Sequence, residues 1–174
     1  MNEWFPKLID RIFALITALI FLQIPLFIQQ YTQRLAGHLD ELRYQVSLIS
    51  EVSTQSGKTL QEFISKFVHS ADFDFARQGD LMQAMVERLD KLNNSYLSLH
   101  HATLLKKPFI FLYYSDWEIV KSTFRSFKVG IPLSIEGIIY GVVGLVVGYF
   151  AFTLISRAFN GLKRAFSRTI SKSS

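Results

Sequence analysis

The sequence contains no cysteine. This excludes a disulfide framework, a thiolate metal site and a thiol nucleophile, although it does not fix the redox compartment. Charged residues are also scarce, at 19% of 174 residues, against about 25% in an average globular protein. The length allows one domain of roughly 150 residues with appendages, so a large multidomain enzyme is excluded.

Apolar residues are abundant, and two long segments hold most of them. Residues 12–28 are mainly Ile, Leu, Phe and Ala, with Thr17 and Gln23 as polar interruptions, and extension to Tyr31 completes the span. Residues 131–155 are almost entirely apolar, with Glu136 as the one carboxylate. Because a helix rises about 1.5 Å per residue, roughly 20 residues cross a hydrocarbon core of about 30 Å. Both segments are therefore predicted to be transmembrane helices.

Each apolar segment has an alternative interpretation. The first could be a cleaved signal peptide, but a small-residue cleavage site should then follow, whereas the chain continues into Pro25 and Gln29-Gln30. The second could be the core helix of a soluble domain, but an apolar helix of this length is unusually long for one. The sequence favours two spans.

Membrane orientation is predicted from the last segment, residues 156–174, which has basic residues and no acid. An excess of Lys and Arg beside a span marks its cytoplasmic side. With an even number of spans, residues 1–11 are predicted to be cytoplasmic as well, and residues 32–130 to lie outside the cytoplasm. The basic residues of the tail are Arg157, Lys163, Arg164, Arg168 and Lys172.

The tail has two interpretations. Apolar residues recur every three to four positions between the basic ones, which predicts an amphipathic helix on the cytoplasmic leaflet, bound to membrane lipids. The alternative is a disordered end whose charges only fix the orientation of the spans.

The segment between the spans is predicted to be helical, because no alternating strand pattern is sustained in it. Two seams of apolar residues recur at steps of three and four, which is the spacing of a coiled-coil-like helical hairpin. The seams are Leu35, Leu39, Leu42, Val46 and Ile49, followed by Met82, Met85, Leu89, Leu92, Tyr96 and Leu99.

Residues that are expected to end helices divide this segment. Ser56-Gly57 is expected to end the first arm, a short amphipathic helix to follow from Leu60, and residues 71–79 to form a turn-rich cap. Pro108 is expected to close the second arm, since the residue before a proline disfavours the helical conformation. The aromatic residues between 109 and 127 predict an interfacial helix, although they could equally fill the core of the hairpin.

The second span has a face of small residues spaced by three and four. Such a face lets helix backbones approach closely in a membrane. Its partner could be Ala14 and Ala18 of the first span, or the same face of another copy. The residues of this face are Ser134, Gly137, Gly141, Gly144, Gly148 and Ala151.

No residue pattern predicts catalysis, a cofactor, a metal site or nucleic-acid binding. Residues 56–59 read Ser-Gly-Lys-Thr, like the end of a phosphate-binding loop, but the first glycine of that motif would fall at Val52. His100 and His101 are adjacent, so on a helix they point in different directions and cannot share a metal as an i, i+4 pair does. Glu136 remains a functional suspect, because ionisable groups near a membrane core are usually functional.

Some residues around the spans carry a resemblance. Residues 23–25, 29–35 and 37–42, together with Ile131-Pro132-Leu133-Ser134 and Glu136-Gly137, resemble a family of small proteobacterial inner-membrane proteins classed as a domain of unknown function. The resemblance implies a two-span inner-membrane protein with a periplasmic helical segment, and it implies no activity. It makes residues 29–42 and Glu136 the first positions to test.

The sequence therefore predicts an all-α membrane protein, with two transmembrane helices flanking a periplasmic helical hairpin. The leading hypothesis is a non-enzymatic interaction or assembly component that binds a second copy or another membrane or periplasmic protein. The alternative is an accessory subunit of a transporter or lipid-handling system, in which Glu136 and the aromatic residues touch lipid or substrate. A sensor has a similar layout, but the short tail would require a separate output protein.

Overall fold

The computed structural model describes the backbone of residues 4–170 and the side chains of residues 11–155. Within that part of the chain there are six helices and no strand, so the all-helical prediction is confirmed. The helices are α1 (Trp4–Gln55), α2 (Leu60–Val68), α3 (Phe73–His100), α4 (Lys107–Tyr114), α5 (Trp117–Arg125) and α6 (Ile135–Ile170).

Two of these helices are long and apolar enough to cross a membrane. The candidate segments are Arg11–Gln55 of α1 and Ile135–Ile155 of α6, with mean hydropathies of 2.2 and 2.3 over their most apolar windows. The chain forms two compact units. One comprises Met1–Phe27 with Lys128–Ser174, here called the terminal unit, and the other comprises Ile28–Phe127, here called the central unit.

Helix α1 ends where the sequence predicts, at a glycine with a left-handed backbone. Gly57 has a φ of 68°, which glycine adopts without the steric cost that a Cβ imposes. The Lys58 N–H donates to the Ser53 carbonyl at 3.0 Å and the Gly57 N–H to the Thr54 carbonyl at 2.9 Å. These two hydrogen bonds form a Schellman motif, which satisfies carbonyls that the helix end would leave unpaired.

Helix α2 begins at Leu60, directly after a capping box formed by Thr59 and Glu62. The Thr59 hydroxyl accepts from the Glu62 N–H, and the Glu62 carboxylate accepts from the Thr59 N–H. The hydrogen bond from the Thr59 backbone keeps the pKa of Glu62 below its ordinary value, because it stabilises the charged carboxylate. Residues 56–59, which resemble part of a phosphate-binding loop, thus stop one helix and start the next.

The expectation of a turn-rich cap over residues 71–79 is wrong from Phe73 onward, because α3 already begins there. Asp72 is the N-cap, and its Oδ1 accepts from the N–H groups of Asp74 at 2.9 Å and Phe75 at 3.3 Å. Gly79 lies inside the helix, where it lets the backbone of α2 approach. A Cβ at Gly79 would lie 2.4 Å from the backbone nitrogen of Val68.

The second arm ends earlier than predicted. Helix α3 stops at His100, and Pro108 lies in the first turn of α4 instead of closing α3. Proline is favoured at that position because the first helical N–H groups have no partner within the helix.

The aromatic segment also differs from the single interfacial helix predicted. It contains two short helices, α4 and α5, with Asp116 as the N-cap of α5.

Candidate functional site

The small-residue face of α6 lies within the terminal unit. Gly137, Gly144 and Gly148 are buried, and Gly141 and Ala151 are half-buried. Ser134 differs, because it is exposed and its hydroxyl accepts a hydrogen bond from the Gly137 N–H at 3.1 Å. Ser134 therefore sits at the start of α6 and not on the packed part of the face.

Residues of α1 in the same chain cover Gly144 and Gly148, whereas Gly137 lies against Pro132. A Cβ at Gly144 would lie 2.8 Å from the Ala18 Cα, and one at Gly148 would lie 3.1 Å from the Ala14 Cα. Both distances are too short for an unstrained contact, so the two helix backbones meet where these side chains are missing. Of the two partners that the sequence leaves open, α1 of the same chain is in contact with this face.

The opposite surfaces of these two helices are apolar and exposed. Within the most apolar windows of α1 and α6, 17% and 11% of residues are buried. Large apolar side chains face outward on both helices, whereas the small ones face each other. The exposed ones include Leu15, Ile16 and Ile20 of α1 and Ile138, Val142 and Phe150 of α6.

Gln23 makes a polar connection that the sequence did not reveal. Its Nε2 donates to the Gly130 carbonyl at 3.1 Å, and its Oε1 accepts from the Gly130 N–H at 3.3 Å. The amide thus satisfies both backbone groups of a residue outside any helix. In the sequence, Gln23 is an interruption of an apolar run and part of the block that carries the family resemblance, and neither feature predicts this contact.

The two predicted seams contribute most of the buried apolar residues of the central unit. On α1, Leu35, Leu39 and Val46 are buried, while Leu42 and Ile49 are half-buried. On α3, Leu92 and Leu99 are buried, while Met82, Met85, Leu89 and Tyr96 are half-buried. One hydrogen bond between the two helices runs from Arg43 Nη2 to Asn93 Oδ1, at 2.8 Å.

A buried tyrosine of α1 holds the start of α5. The hydroxyl of Tyr31 accepts from the Asp116 N–H at 2.8 Å, and its ring packs edge-on against Phe111 with centroids 5.0 Å apart. The Asp116 carboxylate caps α5 by accepting from the N–H groups of Glu118 and Ile119. Sequence analysis missed this junction, although an aspartate directly before a helix is a recognisable N-cap signal.

Arg34, one turn further along α1, binds α5 as well. Its guanidinium donates to the hydroxyls of Ser122 and Ser126. Together with Tyr31, it fixes the position of α5 against α1 through polar contacts.

Of the predicted aromatic group, Phe111 and Phe127 are half-buried, whereas five rings are exposed: Phe109, Tyr113, Tyr114, Trp117 and Phe124.

An apolar stripe on α1 is exposed within the central unit. Tyr44, Leu48 and Val52 are 61%, 45% and 49% exposed. They are spaced by four residues, so they form one continuous face of the helix. This spacing is present in the sequence, but only the neighbouring seam that ends at Ile49 was predicted to be an apolar face of this helix.

The ionisable candidates occupy ordinary structural positions. Glu136 is half-buried in the first turn of α6, where the helix dipole favours a carboxylate. His100 and His101 lie at the end of α3 with their ring centroids 5.5 Å apart. Among the residues that the structure describes, no group of three or more His, Asp or Glu side chains could hold a metal ion.

The basic tail falls mostly outside the described residues. The backbone of α6 continues to Ile170. The side chains of Arg157, Lys163, Arg164 and Arg168, and Lys172 as a whole, lie outside the part of the chain that the structure describes. Lipid binding by this tail remains a prediction.

The fold defines a class of helical protein with two helices long and apolar enough to span a membrane. A model of the family described as Protein of unknown function (DUF2937) matches residues 5–164. The chain belongs to this family, which confirms the resemblance to a domain of unknown function. Comparison with curated proteins gave no match, and neither did comparison with solved structures.

Proposed function

We propose that this chain is a non-enzymatic protein of a bacterial inner membrane that binds a protein partner through its central unit. Residues 12–31 and 131–155 are the two spans in this proposal. Residues 32–130 lie in the periplasm, and both termini lie in the cytoplasm.

The distribution of residue sizes in the terminal unit carries the membrane part of the proposal. A helix pair that is small inside and large and apolar outside suits a lipid environment, where association depends on close packing and not on hiding apolar surface from water. The core helix of a soluble domain would instead bury its large side chains. The low burial of the apolar windows, 17% and 11%, argues against that alternative.

The exposed stripe on α1 supports the partner-binding part of the proposal. Contiguous apolar surface on a soluble segment marks an interaction site more often than scattered single residues do. Tyr44, Leu48 and Val52 form such a surface, because they share one helix face and are exposed. The glycine face of α6 is covered by α1, so the stripe is the better candidate for contact with a second copy or another protein.

The topology can be tested with two single cysteines, since the chain has none of its own. We expect a membrane-impermeant maleimide applied to the periplasmic side to label Ala71→Cys, an exposed position, and to leave Ser173→Cys unlabelled. The basic tail and the even number of spans are the reason. Permeabilised membranes should give labelling of both variants. Labelling of both before permeabilisation would mean that one span is wrongly assigned.

Partner binding can be tested by placing a photoreactive amino acid at Leu48 in the intact membrane. We expect a discrete adduct from this position, at least tenfold more abundant than from Asp90, an exposed polar residue of α3. An adduct of twice the chain mass would identify a second copy, and another mass would identify a different partner. Equal yields at Leu48 and Asp90, or smears at both, would contradict partner binding through the stripe.

A further inference from the structure

A cavity lies in the part of the central unit where α2 meets the start of α3. Its volume is about 320 Å³, and it is open to solvent. This volume is at the lower end of the range of roughly 300–1,000 Å³ that is usual for small-molecule sites. At about 30 Å³ for each molecule of liquid water, it has the volume of roughly ten waters.

Three phenylalanine rings form the apolar wall of the cavity. The Phe63 and Phe67 centroids are 5.0 Å apart, and the Phe67 and Phe75 centroids are 5.9 Å apart. Phe75 is nevertheless 55% exposed, so the cluster is not sealed by the rest of the protein. The rings are inclined to one another, an arrangement that a further aromatic ring could extend.

Two basic residues and two serines lie beside this wall. The remaining lining residues are Lys58, Lys66, Ser56 and Ser70, and no carboxylate is among them. Lys58 Nζ donates to the Ser56 carbonyl at 3.2 Å. Lys66 has no ion pair or side-chain hydrogen bond with any residue between 11 and 155. Positive charge beside an aromatic wall is complementary to an apolar molecule that carries an anionic group.

Three carboxylates lie close in sequence to the lining residues: Glu62, Asp72 and Asp74. Glu62 accepts from Thr59 in the capping box of α2, and Asp72 accepts from Asp74 and Phe75 as the N-cap of α3. These hydrogen bonds hold both acids at helix ends. The closely packed Gly79 contact with α2 fixes the two walls relative to each other. The cavity is therefore a built feature of the fold, and the charged side chains that line it are both lysines.

We propose that this cavity binds a small aromatic carboxylate. The aromatic ring of the ligand lies against the phenylalanine rings, and its carboxylate lies beside Lys58 and Lys66. This ligand site is separate from the stripe proposed to bind a partner, because all the residues that line the cavity lie between 56 and 75. The proposal holds for any topology in which the cavity is accessible to solvent.

The test uses the full chain in nanodiscs of zwitterionic lipid, with empty nanodiscs as the reference for partitioning. Naphthalene-2-carboxylate is the probe, measured by equilibrium dialysis. We expect saturable binding with a Kd on the order of 1 mM or tighter, as the ligand efficiency of such small molecules allows. The neutral 2-naphthylmethanol and the cationic 2-naphthylmethylamine should bind at least fivefold more weakly, because neither offers an anion to the lysines.

Two variants locate the site and two matched controls exclude general effects. Lys66→Gln and Phe75→Ala should each weaken binding at least fivefold. Lys106→Gln and Phe109→Ala change exposed residues outside the cavity and should leave Kd within twofold. Hydrogen exchange of residues 60–68 in Phe75→Ala checks that α2 stays folded, and Lys58→Gln provides a second variant that leaves the ring cluster intact.

Several outcomes would overturn the inference. Binding no greater than in empty nanodiscs would exclude the site. Equal affinity for the alcohol and the carboxylate, with no effect of Lys66→Gln or Lys58→Gln, would exclude anion recognition. Tighter binding of the amine would reverse the assigned ligand charge. Selective carboxylate binding that ignores all three cavity variants would place the site elsewhere.

Discussion

The Gly144→Leu variant is expected to lose the packing of α1 against α6. A Cβ at this position would lie 2.7 Å from the Phe21 Cβ and 2.8 Å from the Ala18 Cα, so a leucine fits only if the helices separate. Overpacking usually costs about 1–3 kcal/mol, and backbone contact places this variant at the upper end. Intramolecular disulfide formation between cysteines at Phe13 and Phe152, whose ring centroids are 5.9 Å apart, should fall sharply.

Two neighbouring substitutions serve as controls for this effect. Val142→Leu adds volume to a side chain that is 55% exposed, and it should leave the disulfide yield unchanged. Gly141→Leu should have an intermediate effect, because its Cβ would meet only the end of the Leu22 side chain, at 3.3 Å. Equal yields for the three variants would mean that the glycine face does not pack against α1.

The Gly79→Ala variant is expected to detach α2 from α3. The three atoms nearest to the added Cβ would be backbone atoms of Phe67 and Val68, at 2.4–2.8 Å, and backbone cannot move aside as a flexible side chain can. A loss of about 1–3 kcal/mol corresponds to a roughly 5- to 150-fold rise in the equilibrium constant for local opening, and so to faster exchange. Hydrogen exchange of α2, measured by mass spectrometry on the full chain, should report it.

The sign of this effect separates packing from helix propensity. Alanine is favoured over glycine inside a helix by roughly 1 kcal/mol, so propensity alone would make Gly79→Ala more stable. Gly37→Ala provides the comparison, because Gly37 is exposed on α1 and its Cβ would meet nothing within 4 Å. We expect Gly37→Ala to slow exchange in α1. Slower exchange of α2 in Gly79→Ala would contradict the close contact.

Local signals in the sequence were sufficient to predict several elements. The apolar runs, the period of the seams at Leu35 and Leu92, and the glycine at position 57 each act through neighbouring residues, so pattern reasoning could detect them. The predicted boundaries at residues 71–79 and at Pro108 were wrong because cap signals were misread. Asp72 begins a helix, and Pro108 lies in the first turn of the next one instead of ending α3.

Contacts between distant parts of the chain could not be predicted in the same way. The Tyr31 hydroxyl meets the Asp116 N–H across 85 positions of sequence, and no periodicity relates the two residues. The cavity beside Lys66 likewise depends on how α2 docks on α3. Periodicity identified which faces are apolar, but it could not show whether Tyr44 or Leu35 would be the exposed one.

The hydrogen bonds between Gln23 and Gly130 bear on how the protein is made. The two residues are 107 positions apart, and a ribosome adds about 5–20 residues per second. In the proposed topology, the first span therefore enters the bilayer roughly 5–20 s before the backbone groups that pair with its amide exist. A polar side chain without a partner is costly in hydrocarbon. Until the second span arrives, Gln23 therefore depends on the Leu19 carbonyl of its own helix, to which its Nε2 donates at 3.0 Å.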